Sequence, residues 1–285
     1  MKILRTVEEI RWESRRAKNG GAKVALVPTM GCLHGGHVSL VEKARERAGF
    51  SVVSIFVNPA QFGPNEDFEK YPRDFDRDAE ICREAGVDAV FSPSNRELYP
   101  EGYSTYVEVQ GEMPRVLCGA KRPGHFRGVA TVVSKLFIAV EPDIAVFGQK
   151  DAQQAAIMKK MVRDLSFPVE IVVSPIVRED DGLAMSSRNM YLGAEERRSA
   201  PLLKKSLDSA SEAYSAGERN AGRLSGRVAE VLGKSGLLRT DYIEIVDGTT
   251  LEPVLTLSEK PALLAIAVYC GGTRLIDNVV LGDER

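Results

Sequence analysis

The chain has 285 residues, 44% hydrophobic and 27% charged, a composition that supports a full apolar core and excludes disorder as its main state. With 38 basic against 40 acidic side chains the formal charge is −2, so the totals supply no basic face for a nucleic-acid backbone. The nine-residue apolar run over 262–270 falls well short of the about 20 residues that a membrane-spanning helix needs.

The opening residues MKILR lack the apolar stretch of a secretion signal, and Cys32, Cys82, Cys118 and Cys270 form no C-x-x-C pair. Both features lead us to expect a cytoplasmic protein without disulfides. In chain order, the apolar run 23–27, closed by Pro28, predicts a buried strand. Val38, Leu40, Val41 and Ala44 then follow helical spacing from Gly36 onward. The β-branched run 51–57 predicts a strand closed by Asn58 and Pro59. Residues 72–85 read as a helix and 89–91 as a short buried strand. Helices over 126–140 and 151–165 are separated by a strand over 144–147, and 169–173 is a further strand. The alternation predicts an α/β fold, a Rossmann-like doubly wound parallel sheet covered on both faces. Past residue 176 the texture changes. A helical stretch over 194–235 precedes three strands over 241–246, 263–269 and 274–281, which suggests a smaller α+β unit. The expected domains are therefore 1–175 and 176–285.

The chemistry concentrates where strands end. Two of the three histidines lie in PTMGCLHGGH, residues 28–37, a glycine-rich turn between a strand and a helix. Backbone N–H groups and the helix dipole favour an anion there, and Gly31, Gly35 and Gly36 let a phosphate approach the backbone. His34 and His37 can each donate to phosphate oxygens; the plainer reading is that they cap and pack the helix start. The Walker pattern G-x-x-x-x-G-K-S/T and the dinucleotide fingerprint G-x-G-x-x-G are both absent. Asn58 and Gln61, past the second strand, offer neutral donors and acceptors, although Asn58-Pro59 alone reads as a turn. Gly148, Gln149, Lys150 and Asp151 again join a strand to a helix; Lys150 is placed to meet a phosphate, Asp151 to cap, and Gln154 lies one turn on. Met185, Ser186, Ser187 and Arg188 form a hydroxyl- and guanidinium-bearing loop that suits a triphosphate or is a simple turn. The segment KRPGHFRG, 121–128, holds His125 and is either a basic lid or a surface loop. Asp74, Asp76 and Asp78 read as a solvated helix face.

Five stretches, PTMGCLHGGH, FVNPAQFGPNEDFEKYPRD, KRPGHFRGVATVV, FGQKDAQQ and AMSSRNMYL, closely resemble the pantoate–β-alanine ligase (pantothenate synthetase) family of the cytidylyltransferase-like nucleotidyltransferases. DYIEIVD and TRLIDN near the end fit as well. The resemblance implies an ATP-dependent, AMP-forming ligation of pantoate and β-alanine to pantothenate through pantoyl adenylate. Mg²⁺ would accompany the ATP, with its protein ligands unassigned. It further implies a cytoplasmic homodimer whose partners are small molecules, not nucleic acid or membrane. Carried over residue by residue, it implies ATP contacts from Met30, Gly31, Cys32, Leu33, His34, Gly35, Gly36 and His37. Further ATP contacts come from Gly148, Gln149, Lys150, Asp151, Val177, Met185, Ser186, Ser187 and Arg188. His37, His34 and Lys150 take the catalytic roles, with His37 as proton donor, and Gln61, Gln154 and Asn58 bind pantoate and β-alanine. The domain over 1–175 would bind nucleotide and pantoate, and 176–285 would cover the site. Two other readings stay open: an adenylyltransferase with a phosphorylated acceptor, and a nucleotide-binding regulator without catalysis.

Overall fold

The computed structural model describes residues 1–64, 66 and 68–282. The chain opens with β1 (Lys2–Leu4), α1 (Val7–Asn19), β2 (Val24–Thr29), α2 (Gly35–Arg47) and β3 (Phe50–Ile55). There follow α3 (Phe75–Glu84), β4 (Ala89–Phe91), α4 (Asn95–Leu98), α5 (Leu117–Lys121), α6 (His125–Val140) and β5 (Ile144–Gly148). Next come α7 (Ala152–Asp164), β6 (Glu170–Ser174), α8 (Ala194–Ser199), α9 (Leu202–Ser215) and α10 (Ala221–Leu232). A meander of β7 (Leu238–Asp247), β8 (Ala262–Cys270) and β9 (Thr273–Leu281) ends the chain. Two compact units result: 1–110, 122–149 and 157–175 form one, and 111–121, 150–156 and 176–285 the other.

The first unit is built on a parallel sheet in the order β1-β4-β3-β2-β5-β6. From β2 the chain steps outward through β3 and β4, then crosses to β5 and β6 on the other side. The strand order therefore reverses between β2 and β5, and ligands of open α/β sheets bind outside the carboxyl ends at such a point. Ala25, Val27, Val53, Ile144 and Val146 point to one face and bury Leu40, Val41 and Ala44 of α2 and Cys82 of α3. Val24 and Leu26 are equally buried on the opposite face, where α1 and α6 pack on β2 and on each other. The doubly covered parallel sheet expected from the alternation is present. One boundary differs. β2 runs through Pro28 to Thr29, because the Thr29 carbonyl, accepting from Phe56 N–H at 3.1 Å, faces β3. Pro28 consequently faces the β5 side, where the ladder stops at Leu26 and Ala145, and its missing N–H is not needed.

In the second unit β7, β8 and β9 pair antiparallel, with β8 in the middle. Leu264, Ile266, Val268 and Cys270 pack on Leu203, Leu207, Leu224 and Val228 of α9 and α10. Leu263, Ala265 and Ala267 face the other way, onto Met113, Val116, Leu117, Ala152 and Ala156. Both faces of β8 are covered, which explains a strand that reads as unbroken apolar sequence. It also explains why 111–121 and 150–156 group with this unit: they supply its second layer. The helical stretch read over 194–235 is three helices, broken near Pro201 and at Gly217, whose φ is +101°.

Candidate active site

The PTMGCLHGGH turn leaves the carboxyl end of β2 with Gly31 and Cys32 both in the left-handed region, at φ of +84° and +52°. Glycine is required at 31, since a Cβ there would sit 2.8 Å from Asp78 Oδ2 and 3.2 Å from Ile55 Cγ2. Successive amides in such a turn form an anion-binding concavity, and here the protein fills it itself. The N–H groups of Cys32 and Leu33 donate to Asp78 Oδ2 and Oδ1, each at 2.7 Å. Asp78 is 1% exposed, so the reading of Asp74, Asp76 and Asp78 as a solvated face fails at 78, where α3 turns its side chain inward. Burial pushes the Asp78 carboxyl upward, against the pull of its two amide partners. Cys32 is also buried, and burial together with the Asp78 charge pushes its thiol up, so it is an inert packing group. Replacing Asp78 with asparagine is expected to leave one turn amide facing an NH₂ group. Stability should fall by about 1–3 kcal/mol, read as a lower denaturant midpoint, with kcat/KM for ATP falling alongside.

His34 is the N-cap of α2, and its Nδ1 accepts from Gly36 N–H at 3.1 Å. His37, three residues on, closes the reciprocal half of a capping box: its Nδ1 accepts from His34 N–H at 3.3 Å. A backbone N–H only donates, so each ring carries its proton on Nε2. The rings lie 4.2 Å apart, tilted by 46°. No acidic residue occupies the first turn of α2, and the Asp78 carboxylate is held by the Cys32 and Leu33 amides just before the cap. The two readings of these histidines, cap and ligand, are thus compatible. One nitrogen of each ring builds the helix end, and the other is fixed as a donor.

Past β3, Pro59–Gln61 forms a single 3-10 turn. Asn58 caps it, with Oδ1 accepting from Ala60 N–H at 3.2 Å and from Tyr99 Oη–H at 2.7 Å. The Asn58 amide donates to Gln61 Oε1 at 3.0 Å and to the Gly128 carbonyl at 3.1 Å. Asn58 is 1% exposed, and protein groups engage both ends of its amide, an arrangement that orients Gln61. Burial pushes the Tyr99 hydroxyl well above its ordinary range, so it remains a protonated donor. Gln61 Nε2 points to Met30 Sδ at 3.1 Å, which links this turn to the histidine turn. Gly148 ends β5, the sheet neighbour of β2, and Gln149 follows it.

Lys150, Asp151, Gln154, Val177 and residues 185–188 belong to the second unit, whereas His125 belongs to the first. Lys150 and Asp151 lie in the short 3-10 turn before α7, 3.6 Å apart from Nζ to Oδ2. Asn278 on β9 donates to the Lys150 carbonyl at 3.0 Å. Its neighbour Asp277, buried, takes both arms of Arg178 at 2.7 and 3.0 Å, a bidentate pair of the strong kind. That pair anchors the segment in which Met185 N–H donates to the Val177 carbonyl at 3.0 Å. Ser186 caps the 3-10 turn Ser187–Tyr191 through Arg188 N–H, and Asn189 ties it to Glu179 and the Ala184 carbonyl. Gln154 lies in the first turn of α7; its neighbour Gln153 is the one turned inward, donating to the Met113 and Val116 carbonyls at 2.9 and 2.7 Å. Sequence reasoning gave no role to Asp78, Asp277 or Asn278. TRLIDN was legible as a motif, but its partners Arg178 and Lys150 are 99 and 128 residues away. Asn65 and Asp67 of the second motif lie outside the described residues.

The model of the family "Pantoate-beta-alanine ligase" matches residues 2–280. A pantothenate synthetase of Pelotomaculum thermopropionicum is 53% identical over 283 residues, covering 99% of this chain and 100% of that protein. The crystal structure of a pantothenate synthetase from Thermus thermophilus superposes with a TM-score of 0.92 at 46% identity, covering 98% of this chain and 99% of that one. A pantoate–β-alanine ligase from Francisella tularensis, solved in complex with β-γ ATP and β-alanine, gives 0.80 at 32% identity, covering 98% and 97%. With the match running from the first strand to the last, this chain belongs to the pantoate–β-alanine ligase family.

Proposed function

We propose that this chain joins pantoate and β-alanine into pantothenate, cleaving ATP to AMP and pyrophosphate. The single observation that carries the site assignment is the paired histidine cap, which fixes two Nε2–H donors at the amino end of α2. In the first half-reaction a pantoate carboxylate oxygen attacks the α-phosphorus, the bond to the β-phosphate oxygen breaks, and pyrophosphate leaves. In the second, the β-alanine amine attacks the acyl carbon, loses a proton, and AMP leaves with the carboxyl oxygen. Negative charge grows on the departing pyrophosphate, and fixed donors aimed there lower the barrier because they need no reorganisation. His34, His37, Lys150 and Arg188 are groups of that kind, and His37 offers its proton from Nε2. Met30 to His37, Gly148 to Asp151, Val177 and Met185 to Arg188 line the ATP in this reading. Gln61 and Gln154 hold the pantoate, and Asn58 acts by holding Gln61. The reading also has 176–285 closing over the adenylate, and a cytoplasmic homodimer as the working form; sedimentation tests the latter.

Mg²⁺ belongs to the same reading as a companion of the triphosphate, whose charge it neutralises. Among the described residues no three His, Cys, Asp or Glu side chains gather to hold a cation, and the buried acid beside the histidine turn is bound to two amides. A protein cage does not fit, whereas coordination by phosphate oxygens and water does.

Holding a carboxylate with neutral amides suits reaction better than tight binding, because a full positive charge would stabilise the attacking carboxylate in the ground state. Gln61→Glu keeps the shape and keeps an acceptor for Asn58, but sets a like charge beside pantoate. Its pantoate KM should rise at least about tenfold, with the ATP KM unchanged, in steady-state kinetics. The reaction itself is tested by incubating the protein with ATP, Mg²⁺, pantoate and β-alanine and measuring AMP and pantothenate. Pantoate-dependent exchange between pyrophosphate and ATP without β-alanine separates this reading from transfer to a phosphorylated acceptor.

A further inference from the structure

His125 is the first residue of α6 and has no part in the chemistry above. One ring nitrogen, Nδ1, lies 2.8 Å from the Gln61 carbonyl oxygen, and the other, Nε2, lies 3.0 Å from Arg122 Nη1. A carbonyl only accepts and a guanidinium only donates, so the ring is held with its proton on Nδ1 and its lone pair on Nε2. This is the opposite tautomer to His34 and His37. Arg122 is in turn gripped by Glu66, with Nε to Oε1 at 2.7 Å and Nη2 to Oε2 at 2.5 Å. Burial alone would raise the Glu66 carboxyl, but the Arg122 hydrogen bonds and charge outweigh it and hold the carboxyl below its usual range. The result is a chain of fixed direction: carboxylate, guanidinium, neutral imidazole, carbonyl.

The end of that chain is informative. Gln61 closes a one-turn 3-10 helix, so its carbonyl is one of the orphan acceptors at a helix end. A one-turn helix has little cooperative stability of its own, and its placement comes from what it is tied to. Five ties are present: Asn58 at the start of the turn, bound to the Gly128 carbonyl; Tyr99 Oη–H on Asn58 Oδ1; the backbone-to-backbone seat of Ala60 and Gln61 against Gly128; Gln61 Nε2 on Met30 Sδ; and His125 on the Gln61 carbonyl. Of these, only the His125 bond grips the last residue by its own backbone carbonyl. We infer that His125, oriented by the Glu66–Arg122 pair, is a positioning residue that sets the Gln61 side chain for the pantoate carboxylate. A donor misplaced by about 1 Å costs reaction rate out of proportion to its distance.

The inference rests on Gln61 as the pantoate ligand, and the experiment separates the two. Pyrophosphate–ATP exchange without β-alanine is measured for His125→Ala, His125→Asn, Gln61→Ala and the His125→Ala/Gln61→Ala pair. His125→Ala should raise pantoate KM about tenfold and leave ATP KM unchanged. His125→Asn, whose amide N–H falls near the Nδ1 position, should recover most of the loss. In the Gln61→Ala background His125→Ala should add nothing, because its effect travels through that side chain. If Gln61→Ala raises pantoate KM and His125→Ala does not, or if the two effects simply add, positioning by His125 is wrong. If Gln61→Ala leaves pantoate KM unchanged, the pantoate assignment of Gln61 fails first and takes this inference with it. Should His125→Ala fail to fold, Arg122→Met carries the test with the same expected selectivity and the same overturning result.

Discussion

Replacing His37 with alanine is expected to lower the adenylation rate by about 10²–10³, the typical worth of one donor aimed at developing charge. The alanine variant also removes the acceptor for His34 N–H, and losing a cap costs about 0.5–2 kcal/mol of stability. Two conservative variants separate these effects. An asparagine at 37 places its amide oxygen where Nδ1 was, so the cap survives while the Nε2 donor is lost. Its denaturant midpoint should match the parent, with the rate still down by about 10²–10³. Glutamine reaches further and puts an amide N–H near the Nε2 position, so part of the rate should return as the cap weakens. His34→Asn makes the same point at the other ring, since asparagine is among the best N-caps. Its fold should be undiminished and its turnover low. Near-parental turnover of the purified His37→Asn variant would remove Nε2 of His37 from the mechanism.

The parts of this site that were legible in the sequence are the ones encoded locally. Strand, glycine turn and helix start follow one another within residues 24–47, and the same order recurs at Gly148 to Ala152. Period and turn chemistry suffice to place such motifs at the carboxyl ends of parallel strands. Long-range partners leave no such trace. Asp78 sits among Asp74, Asp76 and Arg77 in a run that looks wholly solvated, and only the docking of α3 decides that it faces inward to Cys32 and Leu33. In sequence Pro28 closes the apolar run, and a missing N–H matters in most ladders; that it faces the side where β5 has stopped pairing is decided only by the fold. The apolar run over 262–270 is legible as a strand, but what covers its second face is not, because residues 111–121 and 150–156 come from distant parts of the chain. His125 was legible as a motif residue, yet its partners Gln61, Arg122 and Glu66 meet only in the folded unit.

Gly128 supplies the second large effect, and its sign runs against helix propensity. It lies inside α6, where alanine ordinarily gains about 1 kcal/mol over glycine. A Cβ at 128, however, would fall 2.1 Å from the Ala60 carbonyl oxygen, 2.5 Å from its carbon and 2.6 Å from Gln61 N. All three are backbone atoms, so no rotamer change relieves the overlap, and the whole 3-10 turn must move off the helix. Overpacking of this kind costs about 1–3 kcal/mol and more where backbone must shift, which exceeds the propensity gain. The displacement also strains the bonds from Asn58 to the Gly128 carbonyl and from His125 to the Gln61 carbonyl. Gly128→Ala should therefore melt lower and raise pantoate KM by more than tenfold, with a smaller change in ATP KM. Gly226 in α10 is the matched control: nothing lies within 4 Å of a Cβ built there, so Gly226→Ala should stabilise by about 0.5–1 kcal/mol and leave both KM values alone. If the two alanines shift the denaturant midpoint in the same direction, close approach of backbone at Gly128 is not what requires glycine there.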